Sequence, residues 1–112
     1  MRLKHWSLIY PDRRRAALAP AYDFVSTIAY IRDANAALKF TRTKRFDELT
    51  IEELSRLADK ALLPQKLVLD AAAKTVALFQ ENWTKEKKNL PIPDAVVKAI
   101  DEHIRTVPLA GR

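Results

Sequence analysis

Six prolines divide the 112-residue chain more firmly than any other feature. Proline lacks an N–H and has a fixed φ, so each one ends a ladder or helix or opens the next element. Pro11, followed by Asp12, marks a turn. Pro20 ends the strand before it, because it cannot donate to a ladder. Pro64 closes one helical segment and opens another. Pro91 and Pro93 break that second segment, Pro93 opens a third, and Pro108 starts a tail over residues 108–112. Before Pro11, Trp6, Leu8, Ile9 and Tyr10 have the composition of a strand, and residues 16–19 bring the chain back. The result is a β-hairpin over residues 4–18, with Arg13, Arg14 and Arg15 at its turn or on its exposed face.

From Thr50 onward the pattern is helical. Thr50-Ile51-Glu52-Glu53 fits a capping box, with the Thr50 hydroxyl accepting from the Glu53 amide and the Glu53 carboxylate reaching back. Ile51, Leu54, Leu57, Ala58, Ala61 and Leu62 then recur at helical spacing. Val68, Ala72, Val76, Phe79 and Trp83 form a stripe on the second helix, from about residue 64 to 85 or beyond. Val97, Ile100, Ile104 and Val107 do so on the third. Residues 24–31 fit a short helix or an extended segment, residues 36–40 a strand or an irregular crossing, and residues 41–44 a loop. The order predicts an α+β, mainly α chain: an N-terminal β-hairpin followed by about three packed helices, each with one face buried and the hairpin as their packing surface. It reads as one domain over 1–112, with a hairpin and acidic segment at 1–26 and a helical bundle at 50–107.

The absence of cysteine excludes disulfides and thiolate metal sites. Gly111 is the one glycine, which excludes a Gly-rich phosphate loop within these residues. No apolar run approaches a membrane span, and no secretory signal is visible, which fits a cytoplasmic protein. The net charge of +6 favours anionic partners, with clusters at residues 13–15, 39–45 and 85–88, although a solvated surface accounts for the same residues. Direct nucleic-acid binding is not expected: no helix-turn-helix or RNA-binding signature is present, and Asp101 and Glu102 sit beside Lys98 and Arg105. His5 and His103 lie in different elements, so no zinc-type pair exists. Ser7, Ser26 and Ser55 lack a nucleophile-elbow context.

Two polar groups remain. Lys4 and His5 stand at the start of the first strand, and Asp23 follows the second. A hairpin brings the start of one strand near the end of the other, so Lys4, His5 and Asp23 are expected in one small volume. Such a group suits a metal-bound polyphosphate, with Asp23 for Mg²⁺ and Lys4 for phosphate.

The runs Leu3-Lys4-His5-Trp6-Ser7-Leu8-Ile9-Tyr10-Pro11-Asp12 and Leu18-Ala19-Pro20-Ala21-Tyr22-Asp23-Phe24-Val25-Ser26-Thr27 resemble the catalytic region of HipA-like serine/threonine kinases, the toxins of bacterial toxin–antitoxin modules. Thr43-Lys44-Arg45-Phe46-Asp47-Glu48-Leu49-Thr50 and Val107-Pro108-Leu109 resemble the same C-terminal lobe. That family carries Asn-x-Asp-x-His-x-Lys-Asn, in which the Asp is the catalytic base and the final Asn helps hold Mg²⁺. A later Asp in a Tyr-Asp context is the second metal ligand. The resemblance puts Lys4 at the motif lysine and Asp23 at the metal-binding aspartate. His5 falls at the Asn position and Arg2 at the His. An imidazole prefers softer ions than Mg²⁺.

The base itself would align one position before Met1. The resemblance therefore implies a C-terminal-lobe fragment of an ATP- and Mg²⁺-dependent kinase, inactive alone and without a catalytic residue of its own. Such a fragment need bind no cofactor. Its implied partners are an antitoxin or a kinase N-lobe. The alternative is a non-catalytic helical interaction module or a gene remnant that binds such a partner. Either way, the hairpin's second face is expected to remain an exposed apolar patch.

Overall fold

The structure is a computed structural model that describes residues 6–22 and 26–111. Among the described residues its elements are strands β1 (Leu8–Ile9) and β2 (Ala17–Leu18), a 3-10 turn (Phe46–Glu48), and helices α1 (Ile51–Lys60), α2 (Gln65–Glu86) and α3 (Asp94–Thr106). The predicted α+β, mainly α order is therefore present: a two-stranded antiparallel hairpin, then three helices.

The hairpin ladder is shorter than its composition suggests. Leu8 pairs with Leu18 and Ile9 with Ala17, and the Ala19 N–H donates to the Ser7 carbonyl at 2.9 Å. Its turn is closed by the Arg13 N–H donating to the Tyr10 carbonyl at 3.0 Å. Asp12 fixes the far side, its Oδ1 accepting from the Arg14 and Arg15 N–H groups at 2.9 and 2.7 Å. These donors hold the Asp12 carboxyl below its ordinary pKa, Arg15 contributing most. The helices do not cover the hairpin as expected: Trp6, Leu8, Ile9, Tyr10 and Leu18 all stay exposed. A two-residue ladder offers too little surface to seat a helix.

The middle of the chain is irregular. The Tyr30 and Ile31 N–H groups both donate to the Thr27 carbonyl, giving a single turn. Residues 34–46 then fold back on themselves through one bridge between Asn35 and Arg45, flanked by Ala36 N–H to Lys44 carbonyl (2.6 Å) and Phe46 N–H to Ala34 carbonyl (3.0 Å). Phe40 N–H to Thr43 carbonyl (2.8 Å) closes the tip. Of the two sequence readings for residues 36–40, the irregular crossing holds.

The helices follow the proline marks. Pro64 and Pro93 occupy the N-cap positions of α2 and α3, one residue before the first helical turn. Helix α1 ends in a Schellman-type cap: Leu63 N–H donates to the Ala58 carbonyl (2.9 Å) and Leu62 N–H to the Asp59 carbonyl (3.2 Å). This corrects the extension of the α1 apolar stripe to Leu62. That side chain is 92% exposed, and its backbone is left-handed, with φ 56°. Val97, Ile100 and Ile104 of α3 and Val107 at its C-cap are all half-buried, as their spacing predicts.

Helices α2 and α3 are joined by Asp101. Its carboxylate accepts from the Trp83 indole N–H at 2.7 Å and from the Lys87 ammonium at 2.9 and 3.1 Å, and these donors lower its pKa, Trp83 first. Phe79 stacks on Trp83 with ring centroids 6.1 Å apart. The predicted tail is a docked turn: Leu109 N–H donates to the Leu49 carbonyl (3.1 Å), and the Gln80 side chain donates to the Ala110 carbonyl (2.7 Å).

Little of this is enclosed. Among the described residues only Ala58 and Glu53 are fully buried, and α2 has no buried residue along its 22 positions. The chain exposes 9003 Å², where a compact monomer of 12.8 kDa would expose about 6,300 Å². Its radius of gyration is 15.9 Å, against about 13 Å for a compact chain of this length.

Leu62 yields a direct test. A left-handed Leu costs roughly 1–2 kcal/mol, and glycine removes that cost while adding entropy to the unfolded chain. Leu62→Gly is therefore expected to stabilise the chain by about 1 kcal/mol, read as a higher urea midpoint at unchanged slope.

Candidate functional site

The sequence points to Lys4, His5 and Asp23, and all three lie outside the described residues. The described part of the hairpin carries the ladder between them as far as the Ser7–Ala19 hydrogen bond. Among the described residues, no group of three or more His, Asp or Glu side chains could hold a metal ion.

The most highly organised polar centre that is described is Glu53. It sits one turn into α1, and its backbone N–H donates to the Thr50 hydroxyl at 3.2 Å, which is the first half of the predicted capping box. The second half is absent. The Glu53 carboxylate turns away from its own helix into the tip of the loop at residues 40–43. Oε1 accepts from three successive backbone N–H groups, Thr41 (2.9 Å), Arg42 (2.7 Å) and Thr43 (3.4 Å), and also from the Thr41 hydroxyl. Oε2 accepts from Arg42 Nε at 3.1 Å. Consecutive N–H groups converging on one anion form a backbone nest, and the nest competes successfully with the helix N-terminus for this carboxylate.

The electrostatics follow from the donors. Glu53 is 1% exposed, and burial alone would raise its pKa. The Thr41 hydroxyl opposes this most strongly, followed by the Arg42 N–H, the Arg42 guanidinium and the Thr43 N–H. Together they hold the carboxyl at about 2, down from 4.5. Each oxygen is occupied by donors and remains ionised at neutral pH, so Glu53 anchors the loop and is not poised as a general acid or base. The signal missed in the sequence is this pairing across 10 to 12 residues. The capping-box pattern Thr50-x-x-Glu53 gave a local partner for the same side chain.

The latched loop reaches α3. Phe40 lies 6.2 Å from Phe46 between ring centroids, and Phe46 meets the His103 ring edge-on at 5.2 Å. His103 is thus a packed side chain, as its place between Ile100 and Ile104 suggests. Arg45 pairs with Asp47 through Nε–Oδ1 (2.9 Å) and a second nitrogen to Oδ2 (2.5 Å), so part of the basic cluster at residues 39–45 is neutralised locally. Arg13, Arg14 and Arg15 stay exposed at the hairpin turn. No helix among the described residues is long and apolar enough to cross a membrane.

The chain is similar to a protein of Sinorhizobium fredii (strain NBRC 101917 / NGR234) named "Putative kinase Y4dM", with 54% identity over 110 residues. The match takes in 97% of this chain and 27% of that protein, so the chain spans about a quarter of the length of the curated relative it matches. No protein-family model matches the chain, and no solved structure matches it. The similarity supports a kinase-like reading and places the matched region within one part of a longer kinase-named protein.

The Glu53 latch has a pH signature with a definite sign. A carboxylate whose pKa falls on folding stabilises the fold above its unfolded value and loses that contribution as pH falls through its folded value. In parallel melts, wild type is expected to exceed Glu53→Gln fully above pH 4.5, and the gap closes as pH approaches about 2. Glu52→Gln, at a neighbouring exposed carboxylate, leaves no comparable gap.

Proposed function

We propose that these residues form part of the C-terminal lobe of a HipA-like serine/threonine kinase, the toxin component of a bacterial toxin–antitoxin module. One observation carries this reading: the 54% identity to a segment of a kinase-named protein, which runs through the residues that resemble the HipA-like motifs. In this reading Asp23 is a Mg²⁺ ligand, Lys4 contacts ATP phosphate, and His5 stands where the family has a metal-binding Asn. The setting is cytoplasmic.

Phosphoryl transfer depends on several groups acting together: a phosphate cradle, a lysine, two metal-holding side chains and a base. A single glycine, Gly111, leaves no phosphate-cradling loop within these residues. The catalytic base and the ATP-anchoring lysine of the N-lobe have no counterpart among them either. The proposed activity therefore belongs to a longer assembly, completed by an N-lobe.

A second reading is favoured by the exposed apolar hairpin. Here the chain is a non-catalytic module whose function is to bind an antitoxin or a kinase N-lobe. The two readings part at the metal site: Asp23 is needed for transfer in the first and dispensable for binding in the second.

The purified 112-residue chain, given radiolabelled ATP, Mg²⁺ and protein substrates, is expected to show no transfer above background. Adding a polypeptide equivalent to the unmatched part of the Sinorhizobium relative is expected to restore Mg²⁺-dependent transfer, and Asp23→Ala to abolish it by more than about 100-fold. Transfer that Asp23→Ala leaves intact would remove the kinase reading of this site.

A further inference from the structure

A groove with a cavity volume of 760 Å³ lies where α2, the start of α1 and the C-terminal turn meet. Its apolar lining includes Leu69, Ala73 and Val76 of α2, Ile51 of α1, and Leu109 of the docked turn. The α2 residues that line it run from Leu69 to Gln80, a length of about 16 Å at 1.5 Å per residue. That is three helical turns, longer than a compact ligand needs and suited to a helix laid alongside. Ala72, Ala73 and Ala77 keep the α2 wall low, so a second backbone can approach closely.

The charge of the groove runs against that of the chain. Lys and Arg outnumber Asp and Glu 20 to 14 overall, yet no Lys or Arg lines the groove, while Glu52 and Asp70 do. Both carboxylates are held by exposed ion pairs, Glu52 with Arg56 at 3.1 Å and Arg42 at 3.8 Å, and Asp70 with Lys66 at 2.5 Å. Such pairs contribute little and exchange readily for an incoming cation.

We propose that this groove docks a basic amphipathic helix of a partner protein, with apolar side chains one turn apart seated on α2 and flanking Lys or Arg meeting Glu52 and Asp70. This mode of recognition lays the apolar face of a helix into a hydrophobic channel, with charge setting its choice of partner. The proposal stands on the groove itself and is independent of the kinase reading.

The test uses the full chain and a fluorescein-labelled synthetic helix of Leu, Ala and Lys, beside a counterpart with every Lys replaced by Glu. Anisotropy titrations are expected to show saturable binding of the Lys peptide, about tenfold or more tighter than the Glu peptide. Ala73→Arg, which fills the groove from an exposed helix position, is expected to weaken the Lys peptide about tenfold. Glu52→Gln with Asp70→Asn should erase the preference between the two peptides. Leu8→Ser on the exposed hairpin leaves binding unchanged. Should Ala73→Arg lose helicity by circular dichroism, Ala77→Arg applies the same block one turn on. Failure of both peptides to bind, equal affinity for the two, binding undiminished by either arginine, or loss of binding with Leu8→Ser would each overturn the proposal.

Discussion

One buried carboxylate fastens the irregular middle of the chain to the helices. Glu53 belongs to α1 by sequence and to the loop at residues 40–43 by its bonds. A charge at 1% exposure is tolerated only because donors surround it. Once the loop tip is fixed, Phe40 and Phe46 are held where Phe46 can meet His103, which ties α3 to the same centre. The Leu109–Leu49 hydrogen bond then fastens the C-terminal turn to the residue just before the Thr50 cap. The apolar core contributes less than usual, since Ala58 is the one fully buried hydrophobic residue described.

The shortage of core fits the extent of the match. The chain exposes roughly 2,700 Å² more than a compact monomer of its mass would, several times the 800 Å² or so that one partner contributes to a standard interface. The exposed surface is concentrated in particular places. On the hairpin, Leu8, Ile9, Tyr10 and Leu18 remain open, and on α2 Leu67, Leu78 and Phe79 do. A helix that is apolar on more than one side is normally an interior helix with neighbours all round. In the Sinorhizobium relative the matched region is 27% of the protein.

The helices were legible because proline and periodicity act locally. Pro64 and Pro93 mark the starts of α2 and α3, and Thr50 caps α1, each within a few residues of where its effect is felt. The hairpin and its turn were legible for the same reason, through Pro11-Asp12 and the aromatic run before it. What the sequence hid was long-range competition. Glu53 has an acceptable partner three residues away in the capping box and better ones 10 to 12 residues away. Leu62 fits the α1 stripe by spacing but falls where the chain must turn left-handed. The Asp101 link to Trp83 and Lys87 joins two helices whose register no single-helix pattern reveals. The candidate site residues read from the sequence, Lys4, His5 and Asp23, lie outside the described residues.

Recognition of the Glu53 carboxylate is shared between main-chain N–H groups and two side chains, the Thr41 hydroxyl and the Arg42 guanidinium, and this determines which sequences the loop can accept. Thr43 offers a backbone donor that nearly any residue supplies, so side-chain identity there is loosely constrained by the latch, whereas the Thr41 hydroxyl and the Arg42 guanidinium bind the carboxylate as side chains. Proline is the exception at residues 41, 42 and 43, because each would delete a donor from the nest. Position 53 bears the opposite constraint: a shorter or neutral side chain strands several donors at once. Within the latch, position 43 is therefore the one free to change in charge and size, while Thr41, Arg42 and Glu53 are held to one another.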